Sequence, residues 1–303
     1  MNVLVTGACG FIGRYIAMEF RQARHHITGV GHGKWAAGEF RKWGISEWFE
    51  TTITVEALLK MNQKFDMIVH CGGSGSVGFS QKTPYEDFQK NVQSTLSVLE
   101  YIRLQSPGCK MIYPSSPAVQ GNIGNKPITE EMKSVPVSPY GFHKKIAEEL
   151  CLSYHNNFNI DIGIIRFFSV YGNGLKKQLL WDACRKIQQS EEVMFHGTGN
   201  ETRDWIHISD ACSLLYKFAL DCHGFQVING GSGKSTDIKT VINLLCSYFE
   251  KEPKISFNGT VKKGDPVYFL ADISRASLLG WQPATDFRDG LKAYVHYFRT
   301  LAE

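Results

Sequence analysis

The chain has 303 residues, of which 43% are hydrophobic and 20% charged, and a formal net charge of +4. That balance excludes a disordered chain and suits one large α/β domain or two interleaved lobes. The charge is modest and no long Lys/Arg block marks a nucleic-acid footprint. No apolar run approaches the ~18 residues that a bilayer span needs.

The eight cysteines form no C-x-x-C pair. They read as buried, reduced thiols, which points to a cytoplasmic location. An apolar strand follows Met1 at once and leaves no room for a signal peptide. No metal cluster emerges: His25 and His26 are adjacent, and neighbours in a strand point to opposite faces.

In chain order, Val3-Leu4-Val5 reads as a strand buried on both faces. Phe11 to Ala23 reads as a helix, Ile27 to Val30 as a second strand, and the stretch around Ala57 to Met61 as helical. Met67-Ile68-Val69 is a third strand. A helix over Asn91 to Gln105, a strand at Lys110 to Tyr113, a long helix from Ser138 and a strand at Ile160 to Phe168 follow. This alternation predicts a doubly wound parallel sheet of the Rossmann kind over residues 1–170. Beyond Tyr171 the pattern loosens. Helices are expected at Leu179 to Gln189, Asp210 to Leu220 and Asp237 to Phe249, and strands at Asp204 to Ile208 and Phe225 to Ile228. The expectation is a smaller, mixed substrate lobe over 171–203 and 231–303, with 204–230 packing back on the first domain. Gly231 to Thr236 looks like a P-loop, but Ile228 stands where the Walker pattern needs its first Gly, so it reads as a turn leading into a helix.

Two motifs carry chemistry. Thr6-Gly7-Ala8-Cys9-Gly10-Phe11-Ile12-Gly13 joins the first strand to the first helix. Gly7 allows the tight turn, Gly10 lets the backbone approach a pyrophosphate, and Gly13 lets the helix pack closely, with Phe11 and Ile12 in the first turn. A dinucleotide is the implied cofactor. The second strand ends in Val30-Gly31-His32-Gly33-Lys34, without the carboxylate that would hold the 2′-hydroxyl of NAD. His32 and Lys34, with Arg14 nearby, suit a 2′-phosphate, so NADP(H) is expected over NAD(H). One of Trp35, Trp43 and Trp48 could stack on the adenine; packing is the stronger reading.

The second motif is Ser138-Pro139-Tyr140-Gly141-Phe142-His143-Lys144, a helix start with Ser138 as N-cap. Tyr140 and Lys144 share one helix face. An ammonium beside a phenol lowers its pKa and lets it exchange a proton with a substrate hydroxyl. Ser115 and Ser116 end the preceding strand, where ligands of open α/β sheets bind.

These pieces, with VHCGG at 69–73, NVQSTLSVLE at 91–100, YPSSPAVQG at 113–121, RFFSVYGNG at 166–174, RDWIHISDA at 203–211 and ADISRASLLGWQP at 271–283, resemble the extended short-chain dehydrogenase/reductases that act on nucleotide sugars. The resemblance implies Ser116, Tyr140 and Lys144 as catalytic residues. It places Cys71, Gly72, Gly73, Asn91 and Phe168 with the cofactor, alongside Tyr140 and Lys144. For the substrate it implies Ser115, Ser169, Arg203 and Lys262 or Lys263. It also implies a homodimer built through the Tyr-bearing helix. Four positions depart from the family: Ser169 stands for Asn, Gln120 for Tyr, Thr52 for an acidic residue, and Pro117-Ala118 for the Asp-Glu pair of the 4,6-dehydratases. A dehydratase is therefore disfavoured.

The expected activity is NADPH-dependent reduction of a keto group, with C4 as candidate, on a nucleotide-linked deoxysugar. The alternative is an NAD-dependent nucleotide-sugar 4-epimerase, which needs the same three residues. A non-catalytic NAD(P)-binding module is opposed by the intact Ser116, Tyr140 and Lys144. No nucleic acid, membrane or metal is expected as a partner.

Overall fold

The structure, a computed structural model, describes residues 1–260, 264 and 267–301. The first half runs β1 (Asn2–Thr6), α1 (Phe11–Gln22), β2 (His26–Gly31), α2 (Glu39–Lys42), β3 (Glu47–Glu50), α3 (Val55–Lys60), β4 (Met67–His70), α4 (Val77–Lys82) and α5 (Pro84–Phe88). A π-helical turn at Gln89–Gln93 leads into α6 (Ser94–Gln105), β5 (Lys110–Ser115), α7 (Pro139–Phe158) and β6 (Ile162–Phe167). The second half contains β7 (Ser169–Tyr171), α8 (Gln178–Gln189), β8 (Glu192–Phe195), β9 (Thr202–His207), α9 (Ile208–Asp221) and β10 (Phe225–Gly230). It ends with β11 (Ser235–Asp237), α10 (Ile238–Phe249), β12 (Lys254–Phe257), α11 (Ser274–Leu278) and α12 (Phe287–Thr300).

Seven parallel strands form the main sheet in the order β10-β6-β5-β4-β1-β2-β3. Alternation within β1 shows why its sequence reads as a continuous apolar run. Val3 and Val5 enter a core with Ile16, Phe20 and Phe218 on one face, while Leu4 enters a core with Val98, Leu99 and Ile162 on the other. Both faces are covered, so Val3, Leu4 and Val5 are all apolar. The sheet's edge strand β3 escapes the sequence reading because only Trp48 and Phe49 are apolar, between two exposed glutamates.

A smaller region holds the strand trio β11-β9-β7 and the parallel pair β12-β8. Its core gathers Leu180, Ile187, Phe195, Val241, Leu245 and Phe298. Helix α12, which the mixed composition of the tail hides, buries Leu291, Tyr294, Val295 and Phe298, and Asp286 caps it by accepting from Arg288 N–H at 2.8 Å. These four lie at helical spacing, the signal that identifies it. The P-loop lookalike is a turn between β10 and β11. The fully buried Asp204 carboxylate holds it, accepting from Ser232 N–H at 2.6 Å, Gly233 N–H at 3.0 Å and Ala271 N–H at 3.0 Å.

Candidate active site

The carboxyl ends of β1, β4, β5 and β6 open into a cavity of about 760 Å³ that extends under the smaller region. On one side lies the glycine loop. Gly7 has φ +63°, and a Cβ there would come within 2.8 Å of the Cys71 carbonyl carbon. A Cβ on Gly13 would come within 2.4 Å of Gly7 O. Gly7 N–H donates to Val30 O at 2.7 Å and Gly10 N–H to Gly7 O at 2.8 Å. No side chain caps α1, so its first-turn N–H groups are left for an anion. Gly7, Gly10, Phe11, Ile12 and Gly13 all line the cavity, as do Cys71, Gly72 and Gly73 across from them. An uncapped helix start and glycines that cannot carry a Cβ fit a dinucleotide diphosphate.

The proposed reacting groups lie on the far wall. Ser138 Oγ accepts Gly141 N–H at 3.2 Å and so fixes the start of α7, which points Tyr140 and Lys144 into the cavity. Ser116 begins a short 3-10 turn, its Oγ accepting Ala118 N–H at 3.2 Å, and it lines the cavity with Tyr140. Burial pushes the Tyr140 phenol up to about 12; the nearby Ser116 hydroxyl opposes that rise and Asp87 adds to it. The sequence suggests a phenol depressed by Lys144. In the chain alone that ammonium is held elsewhere, donating to Tyr113 Oη and Pro114 O, both at 3.0 Å. Burial draws Lys144 down to about 8, against the opposing pull of Glu148.

Several expected ligands are placed with more definite partners. Ser115 lines the cavity, but its hydroxyl donates to Glu148 Oε1 at 2.6 Å. Glu148 is in turn paired with Arg166 at 2.8 Å. Asn91 lies behind Gly73, whose Cβ would meet Asn91 Oδ1 at 2.8 Å, and its amide donates to Asp87 O at 3.2 Å. Burial raises the Cys71 thiol to about 12, so it stays protonated. Phe168, Ser169 and Arg203 line the cavity, and the Arg203 guanidinium lies over the Phe269 ring. Lys262 and Lys263 lie outside the described residues. His32 and Lys34 are exposed beyond β2. Arg14 is engaged with the glycine loop. It donates to Cys9 O at 2.6 Å and Gly10 O at 3.3 Å, and its guanidinium lies over Trp35 and Trp43, 5.1 Å from each centroid.

Three polar groups escape the sequence reading. His70 is fully buried, with Nδ1 2.7 Å from Thr6 Oγ1 and Nε2 3.3 Å from Ser94 Oγ. Tyr113 stacks on it at 5.7 Å. Asp87, also fully buried, meets His143 Nδ1 at 2.6 Å beside the Tyr140 helix. His70 and Tyr113 are polar residues set within apolar strands, which is the cue that marks them, whereas Asp87 sits in a short polar helix that gives no such cue.

The model of the NAD dependent epimerase/dehydratase family matches residues 3–229. A UDP-glucuronate 4-epimerase of Thermodesulfobacterium geofontis is 27% identical over 99% of this chain and 97% of its own length. The solved UDP-glucuronic acid 4-epimerase of Bacillus cereus, in complex with UDP-glucuronic acid and NAD, is 28% identical with a TM-score of 0.88, covering 99% of this chain and 100% of that one. The UDP-glucose 4-epimerase of Thermotoga maritima, with UDP-glucose, is 25% identical with a TM-score of 0.89 and covers both chains fully. The expected NADP preference and the reductase reading find no support among these relatives, and the alternative expectation fits them better. By family model, fold and site together, the chain belongs to the NAD-dependent epimerase/dehydratase family, enzymes of the extended short-chain dehydrogenase/reductase type.

Proposed function

We propose that the protein is an NAD-dependent 4-epimerase of a UDP-sugar. The observation that carries this reading is Ser116, Tyr140 and Lys144 gathered on one wall of a cavity whose other wall is the glycine loop. Full-length likeness to UDP-sugar 4-epimerases supports it. Bound NAD would supply a hydride acceptor that returns the hydride to the opposite face of the same carbon. Gly7, Gly10 and Gly13 would hold its diphosphate, and Lys144 its nicotinamide ribose. Ser116 orients the 4-oxygen of the sugar. Tyr140 holds a proton in the chain alone and becomes a base where positive charge adjoins it. Arg203 and Ser169 face the diphosphate of the substrate.

A homodimer is part of the same reading. Leu96 on α6, with Phe142, Ile146 and Leu152 on α7, leaves apolar surface exposed on two packed helices. A division into a cofactor domain over 1–170, with 204–230 packing back on it, and a substrate lobe over 171–203 and 231–303 is part of the same reading; Leu180, Val241 and Leu291 share a core of their own, while Ala276 and Trp281 join the core of the main sheet. A cytoplasmic location is supported by eight unpaired cysteines. No helix among the described residues is long and apolar enough to cross a membrane.

The test is incubation with UDP-glucuronate and, separately, UDP-glucose, without added reductant, followed by proton NMR of the anomeric region. Appearance of the 4-epimer from either is the expected result. Conversion only with stoichiometric NADPH oxidation would overturn the reading and restore the reductase.

A further inference from the structure

We infer that Tyr113 is a positioning residue for Lys144, fixing its ammonium so that a single N–H is left for the cavity. Nothing in the motif set singles out Tyr113, which lies three residues before Ser116, within β5. Its side chain is fully buried, and its phenol oxygen takes a hydrogen bond from Lys144 Nζ at 3.0 Å. Pro114 O takes a second, also at 3.0 Å. An ammonium has three donors. Two are thus held by adjacent residues of one sheet strand, and the third is left on the cavity side, where Lys144 is part of the wall. A lysine on a flexible four-carbon stem otherwise has many rotamers. The two bonds to β5 remove that freedom before any ligand arrives.

Tyr113 is itself fixed from behind. Its ring stacks on His70, with centroids 5.7 Å apart and planes 19° apart. Thr95 lies near enough to its hydroxyl to oppose the rise in its pKa, and Thr95 Oγ1 donates to Asn91 O at 2.6 Å. The line from the π-helical turn through Thr95 and Tyr113 therefore ends at the Lys144 ammonium. The charged and titratable groups near Lys144 are Glu148 and Cys151 on its own helix, Cys71 and His70 at the end of β4, Asp87 on α5 and Tyr113 on β5. Of these, Tyr113 is a neutral acceptor. Burial drives its own phenol well above the ordinary range, so it does not compete with Tyr140 as a base. His70 is driven to about 3 by burial and by Lys144, so it adds no second positive charge.

Removing the phenol oxygen takes an acceptor from a buried ammonium, which favours the neutral amine. The Lys144 pKa should then fall below its already lowered position of about 8. Two measurements on Tyr113→Phe test this. The first is kcat and KM for the UDP-sugar between pH 6 and 9.5, which rests on the epimerase reading. Expected is a kcat lower by about tenfold near pH 8, the size of one hydrogen bond to a charged group, with the alkaline limb moved to lower pH and KM changed less than about twofold. The second is independent of turnover: the titration of the Lys144 side chain by NMR of ¹³Cε-labelled lysine, assigned with Lys144→Arg. Expected is a lower pKa in Tyr113→Phe than in the parent. Thr95→Val, which keeps the phenol but removes its orienting partner, should shift both readouts in the same direction by less, and it carries the test if Tyr113→Phe does not fold. A Lys144 titration unchanged in these variants overturns the inference. A shifted titration in a protein that epimerises no UDP-sugar keeps it and rejects the epimerase reading instead.

Discussion

Thr6 Oγ1 and His70 Nδ1, on neighbouring strands β1 and β4, lie 2.7 Å apart beneath the cofactor loop, and the same threonine oxygen accepts Gly72 N–H at 3.0 Å. The imidazole must stay neutral, because burial and the nearby Lys144 draw its pKa from 6.5 to about 3. In the window between these values the unfolded chain binds a proton that the native chain does not. The His70 contribution is therefore fully present above pH 6.5 and is lost as pH falls, at about 1.4 kcal/mol per pH unit. Urea unfolding at pH 7 and pH 5 should show this loss in the parent and a shallower one in His70→Asn. Equal slopes in the two proteins would remove His70 from the acid response.

Tyr140→Phe should cut turnover by about 10²–10⁴-fold, the usual range for one general acid–base group, while NAD binding stays within about threefold. Stopped-flow or discontinuous assay, together with calorimetric NAD titration, separates the two. A Phe variant with parental turnover would take Tyr140 out of the chemistry.

At Gly13 the constraint is steric. Its Cβ position lies 2.4 Å from Gly7 O, a backbone atom that cannot move without displacing the loop. Gly13→Ala should lose NAD affinity by at least about tenfold and destabilise the fold by about 1–3 kcal/mol, as overpacked sites do. Thermal melting with and without NAD measures both. A variant that melts and binds like the parent would show that the loop is not shaped as described.

Arg14 holds the loop rather than a 2′-phosphate, through its bonds to Cys9 O and Gly10 O. Fluorescence titration should therefore show NADH bound at least as tightly as NADPH. Arg14→Ala should weaken both cofactors together by about five- to tenfold, the scale of charge-assisted hydrogen bonds. Selective loss of NADPH affinity would return Arg14 to the phosphate.

The main sheet was legible because strands buried on both faces need unbroken apolar runs, as Val3 to Val5 and Met67 to Val69 show. Glu47–Glu50 and Glu192–Phe195 were not, since each has only four residues, and the second exposes apolar Met194 where alternation would place a polar residue. For the site, spacing alone brings Tyr140 and Lys144 to one helix face, and a strand end brings Ser116 near them. What spacing does not give is the hydrogen-bond partner. Ser115 and Ser116 are adjacent and chemically alike, yet Ser115 donates to Glu148 while Ser116 caps the following turn by accepting Ala118 N–H. Lys144 likewise has a partner on β5 that lies 31 positions away in the sequence. His32 and Lys34 suggested a phosphate by charge, but charge on an exposed loop does not report a ligand, and the full-length relatives point to NAD.

The most direct test of the epimerase reading uses UDP-sugar deuterated at C4, incubated with the protein and its bound NAD. Expected is a 4-epimer that retains the deuterium at C4, with no net change in NADH absorbance, because one hydride leaves and returns to the same carbon. Loss of the label, or product formed only in step with NADPH oxidation, would contradict it.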